Sequence, residues 1–212
     1  MQTTATPFPR HTAVLILAAL ATAFAANHIA ARIAFDHDTG LLLAVLCRAG
    51  VTLLVLAALV FWRRESLRLS PATWRWQIFL GLLIAVQSFC IYSAVARIPV
   101  ALALLVVNLS PILLALLTWA LGGPRPTRVA LAIMGLILFG LVLVLDVPGR
   151  LLNSAAADEQ WTAGILFSLT AAAVFAVALW VTEHKLSSMA GSVRSMLTLI
   201  VVFTASALLG AS

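Results

Sequence analysis

Seven apolar runs, all but the last about as long as a membrane is thick, follow one another along the chain with only short polar gaps. About 20 helical residues at 1.5 Å each cross the roughly 30 Å of a bilayer's hydrocarbon. In that medium every backbone N–H and C=O must be satisfied within the protein, which leaves helices or closed barrels. These runs are continuous rather than alternating, so they read as helices. Only 9% of the residues are charged and 63% are hydrophobic, where a soluble domain carries about 25% charge. A mean hydropathy of +1.12 agrees. The sequence predicts an all-α polytopic membrane protein.

Taken in order, residues 1–11 form a short polar tail and helix 1 covers about 12–35. Arg10 and His11 precede that first run, and small residues such as Ala23 and Ala26 lie within it, as in a signal peptide. Its apolar character continues to Ala34, which favours a retained helix. Helix 2 spans about 41–62, closed by a charged segment and Pro71. Helix 3 covers about 74–96 and helix 4 about 98–121. The Arg97-Ile98-Pro99 turn between them is too short for a loop, which predicts that helices 3 and 4 lie side by side. Gly122-Gly123-Pro124 is a strong break. Helix 5 runs about 127–147, a linker occupies 148–160, and two further helices fill about 161–181 and 195–209.

The net charge of +6 does not argue for nucleic acid, because the basic residues sit in gaps between apolar runs. Arg63, Arg64, Arg68, Arg75, Arg125, Arg128, Lys185 and Arg194 all fall on the cytoplasmic side if the N-terminus is cytoplasmic. Arg97 and Arg150 then fall outside, with Arg32 near that surface, together with Asp36, Asp38, Asp158 and Glu159, which still leaves the basic excess inside as the positive-inside rule expects. Trp62, Trp74 and Trp76 flank the first basic loop like an interfacial belt. Cys47 and Cys90 lie within apolar runs and read as small buried hydrophobes. There is no HExxH, no phosphate loop, and no nucleophile–base pair; neither metal nor cofactor is implied, and an enzyme is not expected.

Polar groups inside the runs are the functional candidates. Arg48, about eight residues into helix 2, costs several kcal/mol in a membrane unless it is paired or faces a cavity. It reads either as a contact for an anionic solute or as a structural arginine bonded to helix carbonyls. Arg32, nearer the outer end of helix 1, reads as a pathway residue or a snorkelling one. Asn27 and His28 are adjacent, so they are expected to point in different directions. Asn27 suits a pathway, and His28 suits either proton sensing or the outer interface. In helix 3, Gln87 and Ser88 precede Tyr92, with Ser88 and Tyr92 on one face. In helix 4, Pro111 removes the bond to the Val107 carbonyl. With Asn108 it reads as a cavity-lining kink or as a static one. Asp146 reads as interfacial.

Several of these residues, in this order, resemble the drug/metabolite transporter superfamily, in particular its EamA-domain exporters. Asn27 and Arg32 are similar to the polar and basic end of that family's first helix, and Arg48 to an arginine early in its second. Tyr92-Ser93-Ala94 and the segment 99–103 resemble its helix 3–4 turn, Pro111 its mid-helix proline, and Gly135 and Gly140 its glycine-bearing fifth helix. Gly122-Gly123-Pro124-Arg125 lacks the glutamate often found there.

The resemblance implies two inverted repeats of five helices. Residues 12–147 would be the first repeat and 161–212 part of the second, in a bacterial inner membrane protein. It implies movement of a small organic metabolite or drug-like solute by alternating access, without cofactor or nucleic acid. Asn27, Arg48, Ser88, Tyr92, Asn108 and Pro111 would line the pathway between the first four helices, with His28, Arg32 and Gln87 secondary. Seven helices in place of ten imply a fragment, with a homodimer or missing C-terminal helices completing the cavity. The alternative is a truncated, inactive or regulatory subunit that needs a partner.

Overall fold

A computed structural model of the chain describes residues 9–37, 40–65, 70–144 and 159–210. Its described residues form eight helices. They are α1 (Arg10–Asp36), α2 (Leu41–Trp62), α3 (Pro71–Val95), α4 (Val100–Val107), α5 (Ser110–Ala120), α6 (Arg128–Val144), α7 (Glu159–Lys185) and α8 (Gly191–Gly210). With α4 and α5 counted as one span, six helices are long and apolar enough to cross a membrane, and α6 is a shorter apolar helix. The protein is thus an all-α polytopic membrane bundle. Asp38, Arg68, Asp146, Arg150 and Asp158, with residues 148–158 of the expected linker, lie outside the described residues.

Three helix boundaries have specific local causes. α3 begins three residues before Trp74, because Pro71 opens the helix rather than closing the preceding loop. Ser70 is its N-cap, and its hydroxyl accepts from Thr73 N at 3.2 Å. Proline is preorganised at this position, where its missing N–H is not needed. α5 ends where Gly122 takes φ +88°, a conformation that disfavours a Cβ. Gly123 N then bonds Thr118 O at 2.9 Å and Gly122 N bonds Trp119 O at 3.0 Å, the Schellman pattern that satisfies last-turn carbonyls. Helix 4 is split, as Pro111 predicts. Asn108 and Leu109 leave the α-helix, and Leu109 N reaches back only three residues, to Val106 O at 3.0 Å.

α3 is the central helix, packed between α7 and α8 and also meeting α1, α2 and α4. Lipid supplies no hydrophobic drive for helices to associate, so close packing depends on small residues at the contacts. The bundle follows this rule: Ala85 and Ala94 of α3, Ala103 of α4 and Ala171, Ala172, Ala176 and Ala178 of α7 are all buried. The expectation that helices 3 and 4 lie side by side is corrected. α3 meets α4 beyond the turn, but α4 and α5 pack mainly against α7. Gly164 of α7 seats Ile98, which is buried in the turn itself. That docking draws the chain after Pro99 onto α7 instead of back along α3. α1 and α6 sit at the periphery with apolar side chains outward, Leu15 and Leu136 among them. In water such faces would be a liability; in a bilayer they are solvated by lipid.

Candidate functional site

Tyr92 is the centre of a polar group buried between α1, α2 and α3. Its side chain is 1% exposed, and its hydroxyl accepts a long hydrogen bond from Asn27 Nδ2 at 3.3 Å. The Arg48 guanidinium stands over its ring, 5.5 Å from the centroid, in the range of a cation–π contact. Arg48 Nη2 donates to Ser88 Oγ at 2.9 Å, so one arginine engages two residues a helical turn apart on α3. Phe35 meets the Tyr92 ring edge-on at 6.0 Å. Three helices therefore hold a single cation on an aromatic face and a hydroxyl. Among the described residues no carboxylate is paired with Arg48, and its Nε, buried, has no hydrogen-bond partner.

His28 is 1% exposed within the bundle. It also faces Tyr92 together with its neighbour Asn27, at 5.7 Å between ring centroids, with Phe24 on its other side at 4.8 Å. Consecutive helical residues diverge by about 100°, yet the Tyr92 side chain is large enough to meet one at its ring and the other at its hydroxyl. Among the described residues, neither His28 ring nitrogen has a hydrogen-bond partner. Such unmet buried groups are uncommon and call for a water or solute.

Arg32 has a structural place. Nη1 donates to Val95 O at 3.0 Å and to Ala96 O at 3.3 Å, and Nε pairs with Asp36 at 3.2 Å. It closes the carbonyl end of α3 and ties α1 to it, as basic side chains do at helix C-termini. Gln87 is half-buried and makes no hydrogen bond among the described residues. Asn108 and Pro111 are exposed on the interrupted span and do not join the Tyr92 group. The structure thus gathers Asn27, Arg48, Ser88 and Tyr92, with His28 beside them, and leaves Asn108 and Pro111 apart.

Sequence reasoning missed Gln77. It is 1% exposed, and its Nε2 donates to Arg194 O at 3.1 Å and Thr198 Oγ1 at 2.9 Å, tying α3 to α8. A signal was available. Gln77, Gly81, Ala85, Ser88 and Tyr92 recur at intervals of four and three, a small and polar stripe along a helix otherwise rich in Leu, Ile, Phe and Trp, and all five are buried. Tyr92→Phe tests the weakest contact in the group. It removes the acceptor for Asn27 but keeps the ring under Arg48, so a stability loss of about 0.5–1.5 kcal/mol is expected. Thermal melting in detergent would check this; a shift as large as that of Tyr92→Ala would show that the hydroxyl matters more than the ring.

A helical bundle of six to seven spans, with one arginine held inside it among neutral polar groups, belongs to the class of polytopic membrane proteins. Its residues 11–146 match the model of the EamA-like transporter family, and the chain belongs to that family. Its general role is membrane transport, and it is not an enzyme. No curated protein and no solved structure matches the chain.

Proposed function

We propose that the chain moves a small organic solute by alternating access and that the Tyr92 group meets the solute. The observation that supports this most is Arg48, held at a distance from any carboxylate among the described residues by Ser88 and the Tyr92 ring. A half-buried cation with spare donors suits a carboxylate or similar anionic group on the solute. Asn27 and His28 would bind its other polar atoms. Asn108 and Pro111 would act as a hinge, since the span they interrupt has lost a helical bond at that depth. The exposed apolar faces of α1 and α6 suit lipid, and a second copy or further helices would complete the cavity there.

The charge pattern supports a cytoplasmic N-terminus in a bacterial inner membrane. Arg63, Arg64, Arg75, Lys185 and Arg194 then share the cytoplasmic end, and Arg32 and Asp36 the other. Residues 12–147 would act as one repeat, with 161–212 as the start of its inverted counterpart. Reconstitution into vesicles with a flux screen over small organic anions and neutral metabolites tests the proposal. Saturable flux of an anion is expected. Absence of flux for every class, from protein whose oligomeric state is intact, would overturn it.

A further inference from the structure

A second site lies along α3, nearer its N-terminus than Ser88. Between the middle of α2 and of α3, the end of α7 and the first half of α8, a cleft of about 380 Å³ is walled by all four helices. That volume falls within the range of small-molecule sites and far exceeds the roughly 30 Å³ share of one water. Five of its nine lining residues are polar: Thr52, Thr182, Arg194, Ser195 and Thr198. These polar groups are set in a lining whose exposed surface is mostly apolar, which suits a solute with one polar end. The remaining wall, with Leu80 and Ile84 of α3, offers an apolar surface to the body of that solute.

The register of the cleft links it to the Tyr92 group. Thr52 lies one helical turn after Arg48, and its hydroxyl bonds the Arg48 carbonyl at 2.8 Å. Ile84 lies one turn before Ser88. The Arg48–Ser88 hydrogen bond therefore stands one turn, about 5.4 Å, along α2 and α3 from Thr52 and Ile84 of the cleft. At the mouth, Gln77 braces Thr198. Its amide orientation is fixed, because Arg194 O only accepts; its Oε1 is buried with no partner among the described residues. Arg194 uses one guanidinium nitrogen on Leu186 O, at 3.2 Å. Of the acidic groups near these elements in sequence, Glu65 accepts from the Ser192 hydroxyl, and Glu183 follows the lining residue Thr182.

Resting on the transport reading above, we infer that this cleft is a distinct solute station and the approach to Arg48, taking a small solute that bears a carboxylate or comparable anionic oxygen group. Arg194 and the hydroxyls around it meet the anion first, and Arg48 meets it next. The Arg48–Ser88 bond is the closure between the two positions. The route then follows the seam of α2, α3, α7 and α8 rather than a space among the first four helices.

Thiol labelling tests this without any transport measurement. With Cys47 and Cys90 replaced by alanine, the full chain carrying Thr52→Cys is reconstituted in vesicles and treated with a sulfonate thiol reagent or a trimethylammonium one. The anionic reagent, added on the face bearing the α7–α8 turn, is expected to react at least about tenfold faster than the cationic one, as a cation-lined cleft concentrates anions. Benzoate, used as a carboxylate probe, should slow that reaction. Arg194→Gln should bring the ratio near one, and Arg194→Lys should keep it. Leu54→Cys, on the outward face of α2 at 73% exposure, is the lipid-facing control.

Labelling of Thr52→Cys no faster than Leu54→Cys overturns the cleft as an aqueous route. Equal rates for the two reagents in the presence of Arg194 overturn its preference for anions. If Arg194→Gln fails to accumulate, the Arg194→Lys ratio and the same comparison at Ser195→Cys decide the matter. Lost flux with the labelling pattern intact would sink the transport reading alone. Lost labelling with flux intact would sink this route alone.

Discussion

Arg48→Leu is expected to cut flux by roughly 10- to 100-fold while the protein still inserts and folds. The size follows from the charged hydrogen bond to the solute that it removes, worth about 1.5–3 kcal/mol, at about 1.4 kcal/mol per tenfold change. The direction of the stability change is what separates the two readings of this residue. An arginine at the centre of a span costs about 2.5–3.5 kcal/mol on insertion scales, so leucine there relieves a burden. Ser88 is not stranded by the change, since its hydroxyl can turn to the carbonyl one turn back. A structural arginine would behave otherwise: its loss would lower the melting temperature and the yield together. Arg48→Lys should fall between, keeping the charge near Ser88 but losing the flat guanidinium face on Tyr92. Flux in vesicles and melting in detergent, measured on the same preparations, provide the check. Wild-type flux in Arg48→Leu would remove Arg48 from the solute's path.

The individual helices were legible because hydrocarbon leaves the backbone no alternative, and α2 runs over the span its composition marks, 41–62. The split after Val107 was legible for the same reason: a proline has no N–H wherever it sits. Neighbour relations were not. In a soluble bundle the apolar stripe of each helix shows which face turns inward, but here lipid and core are equally apolar. The inward face is marked only by small residues, and those at Ala85 or Ala171 are inconspicuous in a chain so rich in alanine. That is why the Arg97–Pro99 turn suggested two adjacent helices, when Ile98 instead inserts against Gly164 of α7.

The candidate site divides along a similar line. Ser88 and Tyr92 could be placed on one face from their spacing alone. Their contact with Arg48 depended on the register of α2 against α3, which no local pattern encodes. Gln77 and Thr198 were harder still, since each reads as an ordinary polar residue until α3 and α8 are brought together. Asn108 and Pro111 drew notice for a backbone effect that is present, but the same break leaves their side chains outside the Tyr92 group.

Gly81→Ala is expected to be the most damaging small substitution in the bundle. A Cβ built there would stand 2.5 Å from Val201 Cβ and 2.7 and 2.9 Å from its two methyl carbons, so α3 and α8 would have to separate. Overpacking of this kind costs about 1–3 kcal/mol, and the separation would also strain the Gln77–Thr198 bond one turn away. Gly81→Leu should be worse and fail to accumulate. Transferring the small residue to the facing helix tests the cause directly. Val201→Gly in the Gly81→Ala background should restore part of the loss, with a coupling of about 0.5–3 kcal/mol as expected for residues in contact. Gly135→Ala and Gly140→Ala in α6 are the controls, because a Cβ at either meets nothing within 4 Å. They should be neutral or gain up to about 1 kcal/mol from helix propensity. Thermal melting of the set in one detergent measures all of these. If Gly81→Ala matched the α6 controls, the close approach of α3 and α8 would be wrong. The α2–α3–α7–α8 seam would then lose the packing that defines it.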